Sequence, residues 1–164
     1  MENLDFKIAS EWVDFFNNDL SSASIIIKNN IKIRPIKEDE YTIGEKITKL
    51  CLGQSREFYG ETYDFIKKWK ETKNSNVFVA EVEEEIVGIC LVNVYGFDSE
   101  KGASLWLREL AVNPKYQSKG IGRSLVKHCI KWGLKKGAKR SFLACDAENH
   151  RAISIYEKSC YTQI

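Results

Sequence analysis

The residues whose types and spacing could do chemistry begin with Gln117-Ser118-Lys119-Gly120-Ile121-Gly122. An apolar run over 105–112, closed by Asn113-Pro114, precedes them, and an amphipathic helix is expected from about 120 to 136. A strand, a glycine-bearing turn and a helix start, in that order, make an anion site. The first helical N–H groups have no partner within the helix, and the helix dipole adds partial positive charge there. Glycine lets the backbone approach a phosphate without a Cβ in the way. Lys119 and Arg123 add mobile positive charge, so the pattern predicts a phosphate-bearing cofactor.

Two common phosphate loops do not match. A Walker loop needs Gly-Lys-Ser/Thr after a first glycine, and a dinucleotide fingerprint needs a third glycine where this chain has Leu125. The remaining pattern, Gln-x-x-Gly-x-Gly between strand and helix, resembles the pyrophosphate loop of the GNAT superfamily of N-acetyltransferases. The run Leu107-Arg108-Glu109-Leu110-Ala111-Val112-Asn113-Pro114-Lys115-Tyr116 looks like the strand leading into that loop. The stretch from Asn149 through Tyr156-Glu157-Lys158 looks like the last core helix of the family.

The resemblance covers roughly residues 31–161 and implies an acetyl-CoA-dependent N-acetyltransferase that acts on a primary amine by direct attack. Such a reaction must hold the thioester, deprotonate the amine and stabilise or protonate the departing thiolate. It implies coenzyme A with its pantetheine arm along the main chain of Leu110, Ala111 and Val112. The pyrophosphate would then lie on the N–H groups of Gln117, Ser118, Lys119, Gly120, Ile121 and Gly122, beside Arg123. Asn149, Ala152 and Tyr156 are spaced i, i+3, i+7 and so share one helix face. Asn149 would hydrogen-bond the arm, Ala152 would leave room beside it, and Tyr156 would lie near the sulfur as the acid. A phenol with a pKa of about 10 is protonated at neutral pH.

Glu109 is the candidate base. If Leu105, Leu107, Glu109 and Ala111 alternate strictly, its carboxylate shares a face with apolar residues, and burial raises a carboxyl pKa. Pairing with Arg108 is the structural alternative, and deprotonation through water is the chemical one. Some family members use a glutamate on the following strand, where this chain has Ala144. His128 and His150 are expected on the surface. Cys145 with His150 lacks an orienting third group, which argues against a cysteine hydrolase. The acceptor stays open between a small-molecule amine, including an aminoglycoside, and a protein amine. A non-catalytic acyl-CoA-binding or regulatory module of the same fold is the alternative function.

These residues need elements to position them. At 164 residues, 43 % of them hydrophobic and 12 % aromatic, the chain is sized for one domain with a real core. The expected order is a strand over 31–36, helices over 37–52 and 58–70, a hairpin of 77–82 and 86–95, and a strand over 105–112. The long helix, a strand over 141–145 and a helix over 149–159 follow. This order predicts an α/β, three-layer α/β/α sandwich around a central mixed sheet, with the strands flanking the long helix parallel.

Residues 1–30 read as an N-terminal extension on the domain or a partner, with a helix carrying Phe6, Ile8, Trp12, Val13, Phe15 and Phe16 and a short strand over 24–28. Residues 31–164 read as the acetyl-CoA-binding domain, lacking the closing hairpin that the family has after its last helix. Where the family has Gly-Phe, this chain has Cys160-Tyr161. The strand at 141–145 would then be an apolar edge that needs a cover, from the N-terminal segment or from a second chain in a homodimer.

With 25 basic and 23 acidic residues the net charge is +2, which argues against broad nucleic-acid affinity. Five cysteines without a Cys-x-x-Cys pair indicate neither a disulfide framework nor a metal site. No signal peptide and no run of about 20 apolar residues is visible, so the expected location is the cytoplasm, away from membranes.

Overall fold

The computed structural model describes residues 11–23, 30–54 and 58–164. Among these residues the sheet has seven strands: β1 (Trp12–Asn17), β2 (Lys32–Pro35), β3 (Ser75–Val82), β4 (Glu85–Tyr95), β5 (Ala103–Val112), β6 (Ala138–Asp146) and β7 (Thr162–Gln163). The spatial order is β2-β3-β4-β5-β6-β1-β7. Only β5 and β6 run parallel, joined by helix α3 (Ile121–Lys135); every other neighbouring pair is antiparallel. Helices α1 (Tyr41–Leu50) and α2 (Tyr63–Glu71) cover one face, with Ile47 and Ile66 packed on Val77, Val79, Ile89 and Leu91. Helices α3 and α4 (His150–Glu157) cover the other, where Ile121, Leu125, Cys129 and Ile130 form the buried stripe that the 3.6-residue period demands. The result is the expected three-layer sandwich on a mixed sheet.

The N-terminal residues differ from expectation. Residues 12–17 form a strand, not a helix, and pair with β6 from Trp12↔Asp146 to Asn17↔Ser141. Val13, Phe15 and Asn17 point inward more than Trp12 and Asp14 do, which is a two-residue period. Phe15 and Phe16 bury on opposite faces, so their adjacency imitates a helical stripe. Phe16 meets Phe142 across the ladder with ring centroids 5.1 Å apart. The edge of β6 is therefore covered by β1, with β7 beyond it. Phe6, Ile8 and residues 24–28 fall outside the described residues. Cys160, where the family has glycine, takes a left-handed φ of +67°.

Two helices start later than their patterns suggest. A single 3-10 turn at Glu38–Glu40 precedes α1. Helix α2 begins only after Thr62, whose side chain accepts from the Phe65 N–H at 3.1 Å. The preceding stretch, 58–61, is irregular and runs beside β5.

Candidate active site

Strands β5 and β6 pair only from Ala103↔Ala138 to Trp106↔Phe142, then separate. A cavity of about 990 Å³ fills the gap. Residues 107–112 line one wall, and Ala144, Cys145, Asp146 and α4 line the other. A β-bulge on β5 accompanies the split: Val92 pairs with Leu107, but the next β4 residue, Leu91, pairs with Glu109. The extra residue, Arg108, breaks the strict alternation expected for this strand. Leu105 and Leu107 face α3, while Glu109 and Ala111 turn to the side of α1 and α2.

The turn after β5 opens into the same cavity. Ser118 and Gly120 have φ of +63° and +87°, and Gly120 is the N-cap of α3. The first intrahelical bond runs from the Ser124 N–H to the Gly120 carbonyl at 3.0 Å. The N–H groups of Ile121, Gly122 and Arg123 thus have no carbonyl before them in the helix. The side chain of Ile121 is core, so only its main chain is available to a ligand. Gly122 lies so close to α4 that an added Cβ would stand 3.0 Å from Ile155 Cδ1.

Gln117 lines the cavity, and its side-chain Nε2 donates to the Val112 carbonyl at 2.9 Å and to Gln54 Oε1 at 2.7 Å, bracing the turn. Lys119 is not among the cavity-lining residues; its ammonium sits 5.3 Å from the centre of the Tyr116 ring. Arg123 does line the cavity, with Nη2 3.4 Å from the Lys158 carbonyl.

Along the arm-binding wall, Leu110, Ala111, Val112 and Ala152 all line the cavity. The Val112 carbonyl is already occupied, by Gln117 and by the Cys51 thiol at 3.3 Å. Asn149 also lines the cavity, but its Oδ1 caps α4 by accepting from the Ala152 N–H at 3.2 Å. That oxygen has a local structural task which the i, i+3, i+7 spacing does not reveal.

Tyr156 and Glu109 meet at the same cavity. Tyr156 is buried, with its ring centroid 5.9 Å from that of Phe15 on β1, and burial pushes its phenol well above the ordinary value. Burial also pushes the Glu109 carboxyl up to about 8, and the nearby Glu61 carboxylate adds to the shift. Arg108 and the Leu110 N–H, which donates to Glu109 Oε1 at 3.2 Å, pull the other way. Arg108 Nη1 is 4.0 Å from Glu109 Oε2 and 3.5 Å from Glu61 Oε1.

These features fit a long phosphate-bearing thioester: helix N–H groups without intrahelical partners, a strand edge without ladder partners on the side of β6, and a buried carboxyl and phenol in one cavity. Comparison with known proteins agrees. Residues 41–160 match the model of the Acetyltransferase (GNAT) family. The chain belongs to that family. Among GNAT relatives, an uncharacterized N-acetyltransferase, YhfO, of Bacillus subtilis is 30 % identical over 119 residues, 68 % of this chain and 79 % of that protein. Acetyltransferase SG1711 of Sodalis glossinidius is 34 % identical over 51 % of this chain, and the thialysine N-epsilon-acetyltransferase of Bos taurus is 30 % identical over 53 %. The matches span 54 % and 55 % of those two proteins, so the chain aligns with about half of each. In fold, the chain superposes on an aminoglycoside acetyltransferase from an uncultured soil metagenomic sample with a TM-score of 0.64 at 23 % identity, covering 80 % of this chain and 88 % of that one.

Within the GNAT frame, three residues stand beside Glu109 or Tyr156 in contacts that the sequence does not show. Glu61 lies in an irregular stretch without periodicity. Arg108, expected as a partner of Glu109, also reaches Glu61. Phe15 backs Tyr156 from the far end of the chain. His128, expected on the surface, is half-buried edge-on to Phe78 at 4.7 Å, and burial lowers its pKa. His150 and Cys145 line the cavity, and burial pushes the Cys145 thiol up to about 11, the wrong direction for a nucleophile.

Proposed function

We propose that this protein is an acetyl-CoA-dependent N-acetyltransferase that acetylates a primary amine by direct attack. The observation that carries the reading is the meeting of Glu109 and Tyr156 in a cavity whose other end is the α3 N-terminus. Bound acetyl-CoA supplies the acetyl group as a thioester. The main-chain N–H groups of Ile121, Gly122 and Arg123, the α3 dipole and the Arg123 guanidinium would hold its pyrophosphate. The edge of Leu110 and Ala111 would hold its arm, with Ala152 leaving room.

Glu109 is the base. A carboxyl that titrates at about 8 holds a proton firmly enough to take one from an ammonium, yet ionises near neutral pH. Tyr156 is the acid. Its phenol stays protonated across the working pH range and keeps a proton at Oη for a departing thiolate. The five thiols are free, which fits a reducing compartment such as the cytoplasm.

The acceptor is a small-molecule amine or a protein amine. The test is thiol release from acetyl-CoA across a panel holding an aminoglycoside, thialysine, lysine and an alanine-ended peptide. These amines follow the names of the relatives and of neighbours in fold, which include an aminoglycoside acetyltransferase and a ribosomal-protein-S18-alanine N-acetyltransferase. Amine-dependent release is expected. Tight coenzyme A binding with no release on any amine would instead mark a non-catalytic acyl-CoA-binding module.

A further inference from the structure

The acceptor end of the cavity holds one more acid than the proposed reaction uses. Glu61, 8 % exposed, comes from the irregular stretch before α2, and Glu109 from the bulge of β5. Between them the Arg108 Nη1 reaches both, at 3.5 Å and 4.0 Å. The guanidinium is itself fixed, 5.4 Å from the centre of the Phe65 ring and 6.0 Å from that of Trp106. Neither carboxylate has this cation to itself. With both acids ionised the cluster carries one net negative charge in a poorly solvated place; one added proton makes it neutral. Such a pair titrates as a unit.

We infer that Glu61 is a positioning residue for the reaction: linked to Glu109 through Arg108, it sets how readily the Glu109 carboxylate takes up a single proton from the acceptor ammonium. The inference rests on the reading of Glu109 as the base. In the step, an N–H bond of the ammonium breaks, its electron pair stays on nitrogen as the attacking lone pair, and the proton goes to a carboxylate oxygen of Glu109. Before that step, the net negative charge favours a cationic amine over a neutral one at this end of the cavity.

Both carboxyls are raised by burial, and Arg108 opposes the rise in each. Among the described residues, the other titratable groups bearing on Glu109 are the Cys51 thiol at the end of α1 and the Tyr156 phenol of α4. Burial raises both of these, so neither is charged near neutral pH. The pair and its arginine therefore set the local charge.

The test follows the Glu109 carboxyl by NMR in glutamate-labelled full-length protein, with the pH profile of kcat/KM measured alongside. Glu61→Gln removes a like charge, so the Glu109 titration and the acidic limb are expected to move to lower pH. Arg108→Gln removes the opposing cation, so both are expected to move to higher pH, and Arg108→Lys should bring them back toward wild type. Loss of packing alone would lower kcat without shifts of opposite sign. Unmoved titration in Glu61→Gln overturns the inference and leaves Glu109 as a base acting alone. An unchanged acidic limb in Glu109→Gln overturns the base reading, and the inference with it. If Glu61→Gln does not fold, the wild-type titration decides: a coupled pair gives two separated steps, and two ordinary carboxyl steps overturn the pairing.

Discussion

Replacing Glu109 by Gln should uncouple the stability of this protein from pH in one defined window. Burial in the fold pushes the carboxyl from its ordinary value of 4.5 up to about 8. A raised folded-state value means that the native state binds the proton more tightly. Stability is then fully present below about 4.5 and falls as pH rises through about 8. At roughly 1.36 kcal/mol per unit, raising the pH from 6 to 9 covers about two of those units and costs about 2.7 kcal/mol. The carboxyl side chain is only 16 % exposed, so solvent screening takes little from this figure. Glutamine keeps the shape and can still accept from the Leu110 N–H, but it does not ionise. Comparing wild type with Glu109→Gln at each pH cancels the titrating groups that do not interact with Glu109; Glu61, which loses a like charge in the variant, is the one that shifts with it. The difference in Tm should therefore move in favour of the variant by about 5–11 °C between pH 6 and pH 9, at ~2–4 °C per kcal/mol for a chain of this size. Thermal unfolding followed by circular dichroism reads it. A Tm difference that is the same at both pH values would show that Glu109 ionises normally in the fold, and would remove the physical basis for its role as a base.

Three further outcomes are expected. Tyr156→Phe should lower kcat by ~10²–10⁴-fold with little change in coenzyme A affinity; a loss below about threefold would reduce Tyr156 to a packing residue. Gly120→Val forces a β-branched side chain to a φ of +87° and should abolish coenzyme A binding by calorimetry while the helix content survives; unchanged affinity refutes the pyrophosphate site. Phe15→Ala empties a fully buried position against Tyr156 and should cost ~3–5 kcal/mol together with turnover; a stable, fully active variant would show that β1 does not support the site.

The anion turn was legible because its signal is local: Gly120 and Gly122 between an apolar strand and an amphipathic stripe need no tertiary knowledge. The parallel pairing of β5 and β6 followed from the helix between them. Glu109 was legible as a residue in an apolar run, but for a reason the structure revises. Strict alternation sets it beside Leu107, whereas the bulge at Arg108 moves it to the opposite face. A bulge adds one residue against a partner strand, and nothing in the bulged segment alone marks it. Glu61 was invisible because its partners, Thr48 on α1 and Arg108 on β5, are distant in the chain and no pattern around itself marks it. The segment from Trp12 to Phe16 misled, since two adjacent aromatics satisfy a helical stripe and a two-faced strand equally well. Only the ladder to β6 decides between them.

The placement of β1 also bears on how the molecule is made. Its strand partner β6 emerges from the ribosome far later, after α1, α2, the hairpin of β3 and β4, β5 and α3. Those elements can dock on one another through comparatively local contacts, while β1 must hold its aromatic residues exposed and wait. Closing a loop of that length costs entropy before any contact repays it, so this pairing belongs among the late steps of folding. Tyr156 leans on Phe15, so the residue proposed as the acid is fixed only when the two distant parts of the chain have met. Catalytic competence should therefore lag behind helix formation during refolding, and the unpaired β1 is the segment a chaperone would have to shield in the interval.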